Sequence, residues 1–101
     1  MRRRLNTKQH IAWRKAVLER DGGCVICNKA EKNFFYCNVH HLVPSEFHKY
    51  EFDETNGIAL CPMHHTLGKF SAHKNPLWFY EWMLENRIKQ LEIALQRLNE
   101  V

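Results

Sequence analysis

Two pairs of metal-ligating side chains stand at either end of the central part of the sequence. Two residues separate Cys24 from Cys27, and two separate Cys61 from His64. Such a spacer lets one turn of chain offer both ligands to the same ion, and zinc prefers four sulfur or nitrogen donors in a tetrahedron. The four residues therefore predict a closed structural zinc site, which would contribute directly to folding.

Alternatives to this ligand set stay open at the level of sequence. Cys24 and Cys27 could be a redox pair or plain buried thiols, but the βαβ context of a redox pair is absent, so zinc is favoured. His64 and His65 are adjacent, and only the spacing assigns His64 to zinc. Cys37 is predicted to be a small buried residue of a hairpin, although it could replace one ligand.

A second group of residues that could carry out chemistry comprises His40, His41, Asn56 and His65. Successive strand residues face opposite sides, so His40 can hold a metal ion while His41 faces a different atom. A divalent ion can stabilise charge on a phosphate, and a separate neutral imidazole can deprotonate the attacking water. His65 can complete the metal ligands, and Asn56 can orient the base or the loop, or add an oxygen ligand. The set fits metal-assisted phosphodiester hydrolysis.

The elements that position these residues follow from hydrophobic patterning. Asn6 or Thr7 caps a helix that runs to about Arg20. The aromatic-rich segment 33–39 and the short apolar segment 58–60 are predicted strands, which would form a hairpin between the two ligand pairs. A short helix with proline in its first turn would then carry the adjacent histidines of the second pair.

A long amphipathic helix is predicted over roughly residues 77–99. One stripe of this helix comprises Leu77, Leu84, Ile88, Leu91, Leu95 and Leu98. We expect the stripe to pack on the first helix rather than pair with a second chain, because so short a stripe usually packs locally, and a monomer is therefore favoured. The aromatic residues of this helix are expected in the core rather than stacked on bases.

The ordered segments Cys24–Cys27, Val39–Pro44, Glu54–Leu60 and Cys61–His65 (CVIC, VHHLVP, ETNGIAL and CPMHH) resemble the HNH endonuclease family. The preceding WRKAVLERDG also resembles the helix that commonly leads into such domains. The resemblance implies an α+β fold with a ββα-metal (His-Me finger) core, a structural zinc knuckle and flanking N- and C-terminal helices. Small free-standing members of this zinc-knuckle type are frequent in phages and prophages.

The resemblance also implies roles for individual residues in a DNA endonuclease that nicks or cleaves. His40 would be the first metal ligand, where many members have Asp, and His65 the last. His41 would be the general base, and Asn56 the middle letter of the motif. The implied cofactors are a structural Zn²⁺ and a catalytic Mg²⁺, Mn²⁺ or Ni²⁺. One departure is that His64 stands where the second knuckle usually has its second cysteine.

The net charge of +4 is unevenly distributed, because basic residues concentrate in the leader and first helix. A polyanion would release counterions on meeting such a surface, although a solvated basic helix face explains the charge equally well. With DNA as partner, we expect phosphate contacts from Arg2, Arg3, Arg4, Arg14, Lys15 and Lys69. His73 could touch either a phosphate or the metal.

The 101 residues, 45% of them hydrophobic, are expected to form a single domain. It would comprise a basic helix (1–21), the zinc knuckle and ββα-metal core (22–70) and the C-terminal amphipathic helix (76–100). No long apolar run predicts a membrane span or signal peptide, so a cytoplasmic location in a bacterial or phage-infected cell is expected. The main alternative to an enzyme is a non-catalytic zinc-stabilised nucleic-acid-binding or phage assembly module.

Overall fold

The computed structural model describes residues 7–28 and 33–101. The chain is α+β, as expected from the sequence, and none of the described helices has the length and apolar character of a membrane span. In chain order the elements are α1 (Thr7–Asp21), β1 (Asn38–His41), 3-10 turns (His48–Tyr50 and Glu54–Asn56), β2 (Gly57–Leu60), a π-helical turn (Met63–Leu67), α2 (Pro76–Asn86) and α3 (Ile88–Leu98).

The two strands form an antiparallel hairpin that sits at the centre of the fold. Asn38 pairs with Leu60 at one end of the register, and His41 pairs with Gly57 at the other. β2 is buried along its whole length, whereas every residue of β1 is only partly buried. The half-covered strand is therefore the one that carries the two adjacent histidines.

Helix α1 packs on the buried strand through Trp13, Val17 and Leu18. It ends where Gly22 adopts a positive φ of 68°, a conformation that glycine tolerates without a Cβ clash. Just before this end, the Asp21 carboxylate accepts the N–H of Ala59 at 2.9 Å. The end of α1 is thus fixed directly to β2.

The strand predicted over 33–39 is wrong for most of its length, because β1 begins only at Asn38. Residues 33–37 form a turn in which the Cys37 N–H donates to the Phe34 carbonyl at 3.0 Å. The Arg14 guanidinium donates to the carbonyls of Phe35 and Cys37 at 2.6 and 2.9 Å. These backbone groups are therefore used in a turn and by an arginine rather than in a strand ladder.

The single helix predicted over 77–99 is also wrong, because Arg87 (φ −140°, ψ 46°) separates α2 from α3. The Arg87 side chain lies 3.3 Å from the Asp21 carboxylate and 3.1 Å from the Gln90 amide oxygen. The Gln90 amide in turn donates to the Gly57 carbonyl at 2.9 Å. These tertiary contacts anchor the start of α3 and override the local helix propensity of the sequence.

Most of the predicted apolar stripe is exposed rather than packed on α1. Leu91 is the one buried member of the stripe and joins Phe79 and Met83 in the core, whereas Leu77 is 75% exposed. Helix α3 packs instead on α2 and on the turn at residues 54–56. The break at Arg87 divides the stripe between α2 and α3.

Replacing Gly57 with Ala should destabilise the protein. The added Cβ would lie 2.8 Å from side-chain carbons of Trp13 and Val17 and 2.9 Å from Val39, so α1 would have to move away from the hairpin. Overpacking of this kind costs about 1–3 kcal/mol. In thermal unfolding, each kcal/mol should lower the Tm by roughly 4–8 °C. The exposed-loop control Ser45→Ala should change stability by less than about 0.5 kcal/mol, and an unchanged Tm for Gly57→Ala would contradict this close packing.

Candidate metal and catalytic site

Four side chains converge where the first cysteine pair meets the π-helical turn. The sulfur atoms of Cys24, Cys27 and Cys61 lie 3.6, 3.4 and 3.3 Å from His64 Nδ1. All four ligand atoms lie within 4.8 Å of one another. Tetrahedral donors about 2.0–2.3 Å from one zinc ion are separated by roughly 3.5 Å, so the Cys₃His set fits structural zinc.

The backbone around this cluster explains its shape. The Val25 N–H donates to the Ala59 carbonyl at 3.1 Å, which holds the first knuckle against β2. Asn28 adopts a positive φ of 53°, and its N–H donates to the Cys24 carbonyl, which closes the knuckle. Cys37 is fully buried outside this cluster, as expected for a hairpin residue.

The surroundings of the Cys27 thiol raise its pKa. Local burial, followed by the neighbouring thiols of Cys24 and Cys61, raises its pKa to about 12. The thiol therefore holds its proton in the absence of a cation. Because zinc binds the thiolate, zinc binding would release this proton.

Three further imidazoles meet at the π-helical turn. His40 comes from β1, His65 from the turn, and His73 from the loop that follows it. Their ligand nitrogens all lie within 4.8 Å of one another, and the Nε2 atoms of His65 and His73 are 3.1 Å apart. The loop returns because the Ala72 and His73 N–H groups donate to the His64 and His65 carbonyls at 2.8 and 3.1 Å.

Two of these imidazoles, those of His40 and His65, favour their neutral form. Burial, and then the neighbouring rings of His65, His73 and His41, lower the pKa of His40 to about 3. Burial and the nearby His73 also lower the pKa of His65. A neutral imidazole offers a lone pair to a cation, so the cluster has the donor type and spacing of a second metal site.

His41 has a different environment from His40, as alternation along the strand requires. Its ring stacks on the indole of Trp13, with the centroids 4.2 Å apart and the planes at 14°. Its Nε2 lies 2.9 Å from the Glu51 carbonyl oxygen. Because a carbonyl can only accept, Nε2 carries the hydrogen and Nδ1 keeps the lone pair. Burial lowers the pKa of His41, although the hydrogen bond and charge of Glu51 partly oppose this effect.

Asn56 is 1% exposed and supports the segment that follows the two histidines. Its amide oxygen accepts the Val43 N–H at 2.8 Å, and its amide nitrogen donates to the Val43 carbonyl at 3.0 Å. The Asn56 carbonyl also accepts the Leu42 N–H at 3.0 Å. Both ends of the amide are therefore directed at backbone, and they hold Val43 in place.

The basic residues predicted to contact DNA phosphates fall into three groups. Arg2, Arg3 and Arg4 lie outside the described residues. The Arg14 guanidinium is committed to backbone carbonyls, as described above. Lys15 and Lys69 are exposed, and Lys69 Nζ lies 5.5 Å from the centre of the Phe70 ring.

Sequence reasoning missed Trp13 and Glu51, both of which contact the His41 ring. Trp13 lies on the apolar face of α1, where nothing distinguishes it from an ordinary core residue. The Glu51 contact uses a backbone carbonyl, which no residue pattern reveals. His73 lies beside His65 because a loop folds back. Sequence spacing alone therefore predicted only that His73 could contact a phosphate or the metal.

Zinc should be an integral part of the folded protein. Structural zinc contributes on the order of 10 kcal/mol in small domains, comparable to the whole stability of about 5–15 kcal/mol. Elemental analysis should find about one tightly held zinc ion per chain, and both Cys61→Ser and strong chelation should abolish the cooperative thermal transition. Cys37→Ala, in the cysteine outside the cluster, should keep its zinc. A thermal transition that survives complete zinc removal would contradict this role.

A model of the HNH endonuclease family matches residues 24–69. No curated protein or solved structure shows significant similarity to the chain. The matched segment contains both knuckles, the two adjacent histidines, Asn56 and His65, and its hairpin and Cys₃His cluster are consistent with a zinc-bound ββα-metal core. Residues 24–69 of this chain therefore belong to the HNH endonuclease family.

Proposed function

We propose that the chain is a metal-dependent DNA endonuclease in which His41 is the general base and His40 and His65 hold a divalent ion. Membership of the HNH family supports a nucleic-acid substrate and phosphodiester hydrolysis. The observation that carries the proposal is the convergence of three imidazoles beside a fourth whose Nδ1 is free to accept a proton.

His73 completes the ligand set in this proposal, supported by the short distance between its Nε2 and that of His65. A divalent ion held by these nitrogens would polarise the scissile phosphate and stabilise charge on the leaving oxygen. Imidazole donors suit ions such as Ni²⁺, whereas Mg²⁺ and Mn²⁺ favour oxygen ligands. We therefore rank Ni²⁺ above Mn²⁺ and Mg²⁺ for affinity at this site.

His41 accepts the proton of the attacking water. Its Nδ1 takes a proton from the attacking water as the water oxygen forms its bond to phosphorus and the bond from phosphorus to the leaving oxygen breaks. The Glu51 carbonyl holds the Nε2–H, so the ring keeps the tautomer that leaves Nδ1 basic. The Glu51 carboxylate favours the positive charge that develops on the ring. Asn56 fixes the backbone just beyond this base through Val43.

Relaxation of a supercoiled plasmid in the presence of Mg²⁺, Mn²⁺ or Ni²⁺ tests these roles. His41→Ala should lower kcat by about 10²–10⁴-fold, because a general base is lost. His40→Ala and His65→Ala should instead raise the concentration of divalent ion needed for half-maximal activity. The control Gln96→Ala, in an exposed residue of α3 outside both metal clusters, should retain activity.

Two outcomes would contradict the proposal. Undiminished nicking by cleanly purified His41→Ala would refute the assignment of the base. DNA binding by the parent chain without nicking in any of the three ions would leave a zinc-stabilised nucleic-acid-binding module.

The basic side chains should divide into two kinds when tested. Lys15→Ala and Lys69→Ala should each weaken binding to duplexes of any sequence and reduce the salt slope of log K by about 0.9 per lost phosphate contact. Arg14→Ala should mainly lower the Tm, because its guanidinium holds the Phe35 and Cys37 carbonyls. Fluorescence anisotropy at several salt concentrations, with Lys89→Ala on α3 as control, measures the first effect. A fully stable Arg14→Ala with a reduced salt slope would reverse this division.

A further inference from the structure

The stacking of Trp13 on His41 joins a buried core residue to the general base of the proposed reaction. Trp13 is 4% exposed, and its ring lies nearly parallel to the imidazole at a centroid distance of 4.2 Å. Its indole N–H donates to the Asp53 carbonyl at 2.7 Å. This hydrogen bond therefore fixes the indole independently of its contact with the His41 ring.

We propose that Trp13 is a positioning residue for hydrolysis, which holds the His41 imidazole in the plane that directs Nδ1 toward the attacking water. This inference rests on the proposed function and deepens it. Trp13 precedes the segment 24–69 that matches the family model, so the match assigns it no role.

Two contacts are needed to fix an imidazole ring. The hydrogen bond from Nε2 to the Glu51 carbonyl sets the direction of one ring atom, but the ring can still turn about that bond. A flat surface against the ring face removes this freedom, and the indole of Trp13 provides it. With both contacts in place, the direction of the Nδ1 lone pair is determined.

The same short segment holds both members of the stack. The Glu51 carbonyl accepts from the His41 ring, and the Asp53 carbonyl accepts from the Trp13 ring. Between them, Phe52 presents its ring at 68° to Trp13, with the centroids 6.4 Å apart. Residues 51–53 therefore lock the base and its support together as one unit.

Two substitutions separate positioning from simple packing. Trp13→Phe keeps a flat ring face but loses the indole N–H, whereas Trp13→Leu keeps apolar bulk but loses both features. Because both variants lose the hydrogen bond to the Asp53 carbonyl, a purely structural role predicts that they behave alike. A positioning role predicts that only the leucine variant is impaired in the chemical step.

Plasmid relaxation kinetics should be measured on the zinc-loaded full chain at a temperature where every variant is folded. Misplaced catalytic groups cost on the order of 10²-fold in rate, so Trp13→Leu should lose about 10–100-fold in kcat with KM unchanged, and Trp13→Phe should recover most of that loss. Leu18→Ala, which removes a fully buried side chain from the same helix, should lower the Tm without this loss of kcat.

Histidine NMR gives a second measurement that does not depend on nuclease activity. In the parent chain and in Trp13→Phe, the ring current of the aromatic partner should shift the His41 ring protons upfield, and nitrogen shifts should report the Nε2–H tautomer. In Trp13→Leu the upfield shift should disappear and the ring should turn about its hydrogen bond to the Glu51 carbonyl, with the Nε2–H tautomer kept.

Each failure has a distinct meaning. Equal kcat for the phenylalanine and leucine variants of an active parent chain would overturn the positioning role alone. An inactive parent chain would overturn the proposed function and, with it, the catalytic meaning of the stack. A His41 spectrum unchanged in Trp13→Leu would overturn the claim that Trp13 holds the ring.

Discussion

The Cys₃His cluster is the constraint on which the rest of the structure depends. Each strand of the hairpin has only four residues, and an isolated two-stranded hairpin of this kind is at best marginally stable in water. The cluster joins the chain before the hairpin to the chain after it, while α1 covers the buried strand. This closure holds together the hairpin that carries His40 and His41 and the turn that carries His65.

The hairpin then gives two neighbouring histidines different chemistry. His40 faces two other imidazoles, and that environment suits a ligand that must stay neutral. His41 faces an indole and a backbone carbonyl, and that environment suits a ring that must keep one tautomer. The two rings differ in partners rather than in residue type, so the difference between their environments comes from the alternation of the strand.

Spacing within a few residues was enough to predict much of this site. The two ligand pairs, the opposite faces of the adjacent histidines and the short strand at residues 58–60 all depend on local geometry, and the structure has them. Features that depend on contacts between residues distant in sequence could not be predicted. Arg14 satisfies carbonyls of a turn more than 20 residues away in sequence, and Arg87 breaks a helix because it contacts Asp21. The hydrophobic periodicity of the sequence predicts neither contact.

The adjacency of His64 and His65 on one π-helical turn has a thermodynamic consequence. One residue belongs to the Cys₃His cluster and the next to the imidazole cluster, and their Cα atoms can be only about 3.8 Å apart. A shift of this turn on zinc loss would therefore disturb both ligand sets at once. If occupancy of one cluster moves this turn, it changes affinity at the other, and by linkage the influence is equal in both directions.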